Sequence, residues 1–93
     1  MAREIRRTTA FKRDYQRETR GRHTKALEQL LREVLALLVE GSPLPAARRD
    51  HRLAGEWSGF RDCHLRPDLV LIYRLSDSAV DLVRLGSHSE LFE

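Results

Sequence analysis

The sequence predicts a single α+β domain, in which an N-terminal strand and a helical hairpin pack on an antiparallel β-sheet. Three observations predict it. Leu27, Leu30, Leu31, Val34, Leu35 and Leu38 recur at three- and four-residue steps, the period of a helix with one apolar face. From His51 onward the apolar residues fall instead into short strand-like runs. Gly, Pro, Asp and Ser clusters separate those runs, as turns do. The 93 residues fit one domain with a small core, and we take 1–93 as that domain.

Residues 3–7, with Ile5 as their only large apolar side chain, read as an edge strand. Thr8 or Thr9 then offers an N-cap. Phe11 and Tyr15, four apart, give the first helix a narrow apolar stripe, with Lys12, Arg13, Arg17 and Arg20 on its other faces. Gly21 is expected to end that helix, and His23-Thr24 to open the second. Gly41 suits the second helix's C-terminal cap, and Pro43 stands beyond it. The loop 42–50, set by two prolines, carries Arg48 and Arg49 ahead of His51. Residues 51–54 form a short strand, 55–59 turn, and 60–65 return. After a turn at Arg66-Pro67-Asp68, residues 69–75 and 79–85 are apolar on both faces and therefore central strands, joined through Ser76-Asp77-Ser78. Residues 86–93 leave the sheet, and Phe92 is expected to pack back toward His88.

The charge is uneven. Residues 1–52 carry 13 Lys/Arg against 7 Asp/Glu, whereas residues 53–93 carry 4 against 7. Fifteen of the 17 basic residues are arginine, whose planar fork matches phosphate, so a polyanion is a natural partner. No apolar run approaches the roughly 20 residues that span a membrane, and the first 15 residues lack the apolar segment of a secretory signal. The single cysteine, Cys63, permits no internal disulfide, which fits a cytoplasmic protein.

A turn centred on Asp77 would pair Tyr73 with Asp81 and Val70 with Arg84, and set Asp68 opposite Gly86, close to His88. The turn at Pro67 brings His64 to the same end, and the turn at Trp57 brings His51 back toward it. Three histidines, an aspartate and arginines would thus share one sheet edge. Three His and an Asp could hold zinc, but their spacing is not that of a compact metal motif and the arginines would repel a cation. Cys63 and His64 are strand neighbours and point to opposite faces, so Cys63 belongs to the core and is no nucleophile for His64. Acid–base cleavage of a phosphodiester fits the set better. Imidazole can take the 2′-hydroxyl proton or give one to the leaving 5′-oxygen, and an arginine can steady the phosphate without metal or cofactor. The products would be a 2′,3′-cyclic phosphate and a 5′-hydroxyl.

With these residues placed, the sequence resembles the YafQ-like branch of the RelE/ParE superfamily of bacterial type II toxins. The resemblance runs over nearly the whole chain. It is carried by Thr9-Ala-Phe-Lys-Arg-Asp-Tyr15, Pro43-Leu-Pro45, Asp50-His51, Leu53-Ala-Gly-Glu-Trp57, Arg61-Asp-Cys-His64, Pro67-Asp68, Leu71-Ile-Tyr73 and Leu85-Gly-Ser-His-Ser-Glu-Leu-Phe92. It implies a RelE-like fold and an mRNA interferase that cuts mRNA in the ribosomal A site. It also implies neutralisation by a cognate antitoxin with a ribbon–helix–helix or similar DNA-binding part, through which alone operator DNA would be reached. By resemblance His88 leads the acid–base chemistry, Asp68 and His64 supply or tune its partner, and His51 belongs to the same set. Arg84 would stabilise the phosphate and Phe92 stack on a base. Ser87, Arg48, Arg49 and Arg61 are expected to touch RNA beside them. Leu69 departs from the pattern, since relatives often carry tryptophan directly after Pro-Asp. The rival expectation is a non-catalytic binding module, a degenerate toxin or one acting on another target.

Overall fold

A computed structural model describes residues 2–20 and 24–92. The expected helix boundaries at Gly21 and His23 lie outside the described residues. The chain forms β1 (Glu4–Arg7), α1 (Thr9–Thr19) and α2 (Thr24–Glu40), then β2 (His51–Arg52), β3 (Arg61–Arg66), β4 (Leu69–Leu75), β5 (Ala79–Gly86) and α3 (His88–Phe92). Short 3₁₀ turns at Ala46–Arg48 and Gly55–Trp57 flank β2. The α+β expectation is met. The sheet has five strands in the order β1-β5-β4-β3-β2. Its hairpins are antiparallel, but β1 joins β5 in parallel, so the sheet is mixed rather than wholly antiparallel.

Local chemistry sets the helix ends. Thr8 caps α1 by accepting the Phe11 N–H at 2.9 Å, and its hydroxyl donates to the Val83 carbonyl at 2.7 Å, so the cap also ties α1 to β5. The C-terminus of α2 is a Schellman cap. Gly41, at φ +78°, donates to the Leu38 carbonyl, and Ser42 donates to that of Leu37.

β4 sits at the centre and is buried on both faces, as its unbroken apolar run requires. Leu71 and Tyr73 face Phe11, Leu27, Leu31, Val34 and Leu38 of the helices, together with Cys63, Leu82 and Leu85. Leu69 joins this main core, where it fills space under the helices. On the other face Val70 and Ile72 pack with Leu91, Leu53, Trp57, Phe60, Val83 and Phe92. This smaller cluster is roofed by α3, a helix absent from the sequence reading.

One registration differs from expectation. Val70 pairs with Gly86, Leu71 with Leu85 and Ile72 with Arg84, whereas Tyr73 pairs with Leu82. Asp68 is therefore not opposite Gly86, nor Val70 opposite Arg84. Two causes add. Ser76 and Ala79 close the hairpin around a two-residue loop, through the Ser76 N–H to the Ala79 carbonyl and the Ala79 N–H to the Ser76 hydroxyl. A bulge beside Ile72/Tyr73 then inserts one more residue into β5. The β3–β4 register, with His64 opposite Val70, is the expected one.

Beyond Leu82 no strand among the described residues covers the outer edge of β5, because β1 ends there. Asp14 and Arg17 of α1 take its place. The buried Asp14 carboxylate accepts the Leu85 N–H at 2.9 Å, and Arg17 donates to the Leu85 carbonyl at 3.0 Å. Asp14 also accepts two bonds from Arg84, at 2.7 and 3.3 Å, and one from Arg17. Burial pushes the Asp14 carboxyl up, but the Arg84 and Leu85 hydrogen bonds and the two guanidinium charges outweigh it and hold it below its usual value. Its stabilising effect is therefore complete above the ordinary carboxylate range and is lost as pH falls through the native value. Asp14→Asn should cost about 3 kcal/mol of unfolding free energy at neutral pH. In urea titrations across pH, the gap between parent and variant should close below about pH 4.

Candidate functional site

The face of the sheet away from α1 and α2 carries the histidines. His51 in β2 lies opposite Asp62 in β3, and Asp62 in turn lies opposite Ile72 in β4. One step along, His64 lies opposite Val70, which is itself opposite Gly86. Period-two alternation keeps Asp62 and His64 on this face and sends Cys63 and Leu65 into the main core. Burial lifts the Cys63 thiol to about 12, so it has no nucleophilic role at neutral pH.

His88 arrives by another route. After Gly86 the chain leaves the sheet through a capping box. The Ser87 hydroxyl accepts the Glu90 N–H at 3.2 Å while the Glu90 carboxylate accepts the Ser87 N–H at 2.9 Å. Gly86 lets this happen, because a Cβ there would stand 3.1 Å from an Arg17 nitrogen and 3.4 Å from the Leu91 side chain. His88 is the first residue of α3, and its ring lies 4.7 Å from that of Phe92. Phe92 thus packs back on His88, and its other neighbour is Trp57, with ring centroids 6.3 Å apart. Trp57 meets Phe60 edge-on at 5.5 Å, extending an aromatic floor beside the histidines.

What the three imidazoles share is Asp62. Burial raises its carboxyl above the usual value, while the nearby charges of His51, His64 and His88 pull it down. Its Oδ1 has no hydrogen-bond donor among the described residues, a rare state for a buried carboxylate oxygen. His51 Nδ1 is 3.0 Å from that oxygen, yet its geometry favours the Arg49 carbonyl at 2.8 Å. With Nδ1 donating to that carbonyl, the neutral ring presents the Nε2 lone pair to solvent, as a proton acceptor. Arg49 holds its carbonyl there from a left-handed backbone, φ 50°.

The other expected residues are distributed differently. Asp68 stands exposed in the β3–β4 turn, two residues before Val70. It makes no hydrogen bond or ion pair among the described residues, whereas Asp62 lies opposite His51 across the strands. Arg84 is anchored to Asp14, with its Nη1 left over and its side chain about one-third exposed. Ser87 serves as the α3 cap. Arg48 donates to the Leu65 carbonyl. Arg61 pairs with Tyr73 across the strands, on the core face, where both donate to Asp50. Asp62 was missed by the sequence reading, although its alternation with His64 within Arg61-Asp62-Cys63-His64 carries the signal. Among the described residues no group of three or more His, Cys, Asp or Glu side chains is placed to hold a metal ion.

Comparison with known proteins gives one consistent family. Residues 3–93 match the profile of the YafQ family, described as the bacterial toxin of a type II toxin–antitoxin system. The mRNA interferase toxin YafQ of Escherichia coli K12 is 44% identical over 63 residues, which cover 67% of this chain and 68% of that protein. In the crystal structure of the E. coli DinJ–YafQ toxin–antitoxin complex, a chain that is 35% identical superposes with a TM-score of 0.83 over 100% of both chains. A metal-bound toxin from Helicobacter pylori is 36% identical, with a TM-score of 0.84 over 99% of this chain and 100% of that one.

Because native Asp62 binds a proton more readily than the unfolded chain does, its ionisation costs stability at neutral pH. That cost disappears as pH falls through the raised native value. Asp62→Asn should therefore raise the unfolding free energy at pH 7 by about 0.5–2 kcal/mol, the size common where function is traded for stability. Urea denaturation should show the gain shrinking toward pH 4.

Proposed function

The chain belongs to the YafQ family of bacterial type II toxins, and from that premise we propose that it is an endoribonuclease that cuts mRNA on the bacterial ribosome, at the A site, and is neutralised by a cognate antitoxin. The observation that carries this reading is the convergence of His51, His64 and His88 on the buried Asp62 carboxylate, beside the rings of Phe92 and Trp57. RNA supplies what such a site needs, a 2′-hydroxyl to deprotonate and a leaving oxygen to protonate.

In this reading one imidazole takes the 2′-hydroxyl proton as the 2′-oxygen attacks phosphorus. The P–O5′ bond breaks, and a second imidazole, already protonated, gives its proton to the departing 5′-oxygen. The products are a 2′,3′-cyclic phosphate and a 5′-hydroxyl. His51, with Nε2 turned outward, is the base. His88, exposed at the start of α3, is the acid and carries the greater part of the barrier lowering. Asp62 is a positioning residue that sets a buried carboxyl group beside the rings. Arg84 offers its unused Nη1 to a phosphate oxygen. Asp68 faces the substrate from the turn, and Phe92 stacks on a base. No step calls on a metal or an organic cofactor. The exposed cations Lys12 and Arg13 of α1, with Arg20 just beyond its end, suit contact with ribosomal RNA. The antitoxin, of ribbon–helix–helix type, carries the operator-DNA contacts.

His88→Ala and His51→Ala should each lower mRNA cleavage about 10²–10⁴-fold without loss of fold, as removal of a positioned acid or base does. Mapping the 5′ ends of mRNA fragments after brief induction, in cells with and without the antitoxin, checks this. Growth arrest of parental strength by both histidine variants would instead support a non-catalytic binding module.

A further inference from the structure

Beyond the histidines, β3 and the loop before β2 enclose a cleft of about 220 Å³. Arg48, Arg49, Arg66 and His64 line it together with Pro67, and no carboxylate does. At roughly 30 Å³ per water, the space equals about seven waters, enough for one phosphate group and its hydration. Arg48 is pre-set by its bond to the Leu65 carbonyl at 3.1 Å, and Glu33, the acid nearest it, stands 3.9 Å away outside the cleft.

Arg66 is the unusual member. Among the described residues the other partly buried arginines, Arg3, Arg48, Arg61 and Arg84, all donate to a carboxylate or a carbonyl. Arg66 is partly buried and has no hydrogen bond or ion pair among the described residues. A half-buried guanidinium keeps five donors facing something, and here they border a cavity of matching sign. His64 likewise makes no hydrogen bond among the described residues, while it stands near Asp62 on one side and lines the cleft on the other. Arg49 links the two regions as well, its carbonyl on His51 and its side chain at the cleft.

We propose that this cleft is a second phosphate subsite, which grips the phosphodiester adjacent to the scissile one through Arg66, Arg49 and Arg48, with His64 as the wall shared with the histidine site. The inference rests on the nuclease reading above. Such a grip carries no base information. It sets the register of the RNA backbone, so that the scissile linkage falls between His51 and His88.

Two measurements test it. In the first, inorganic phosphate is titrated into the purified protein while the His64 ring resonances are followed by NMR across pH. Phosphate should shift them and raise their titration midpoint, and the response should vanish in an Arg49→Gly/Arg66→Gln double variant. Arg49→Gly also relaxes the left-handed backbone, and Arg66→Gln alone, which forfeits no protein partner, serves if the double variant does not fold. A silent His64, or an equal response in the variants, overturns the proposal. In the second, ribosomes carry synthetic mRNA with one neutral methylphosphonate on either side of the cut. At one of the two positions the parent should lose about tenfold in kcat/KM, the worth of a charge-assisted contact. Arg66→Gln should be slow already and indifferent to that substitution. A parent indifferent at both positions, or a variant that loses as much as the parent, overturns the subsite. If the parent leaves unmodified mRNA uncut, the nuclease reading fails while the phosphate titration still judges the cleft.

Discussion

The Asp14 carboxylate is the contact on which the rest of the molecule depends. It is the only buried acid on α1, and it meets β5 where β1 no longer covers the sheet edge. Left open, the Leu85 N–H and C=O would be unpaired polar groups in the interior, or a template for another strand. Asp14 and Arg17 satisfy both. They also hold Arg84 and reach Glu90, so one patch of α1 sets the end of β5, the turn at Gly86 and the start of α3. His88 inherits its position from that chain of contacts rather than from the sheet itself.

Asp62 is the opposite kind of buried acid. Asp14 is stabilised by four hydrogen bonds, whereas Asp62 keeps an oxygen without a donor among the described residues. A carboxylate in that state destabilises the fold at neutral pH. The two aspartates divide the work. One holds the scaffold rigid, and the other keeps the site electrostatically uneven, the usual sign of groups kept for chemistry.

Much of the architecture was legible because its causes are local. Leu27 through Leu38 announce α2, Gly41 its end, and the apolar run of residues 69–75 the central strand. The approach of His51 and His64 was legible too, since turns at Trp57 and Pro67 bring strand ends together whatever the detailed pairing, whereas His88 joins them from the start of α3. The pairing of β4 with β5 was not, because a two-residue loop and a bulge each shift it by one, and neither leaves a mark in the periodicity. That shift removed Asp68 from its expected place opposite Gly86. The helix α3 was missed because five residues are too few to show a helical period, although the Ser87–Glu90 box was there to be read.

The amino-acid sequence by itself determined the α+β class, the order of the elements from β1 to β5, the core role of Cys63 and the approach of Phe92 to His88, because each follows from alternation, capping or turn chemistry within a few residues. Only the tertiary structure decided which carboxylate serves which cation. Arg61 went to Asp50, Arg84 to Asp14, and Asp62 was left to the three histidines. These choices depend on burial and on the distance between groups up to 70 residues apart in the chain. Desolvation and Coulomb attraction act through space, and no local pattern of residues encodes them.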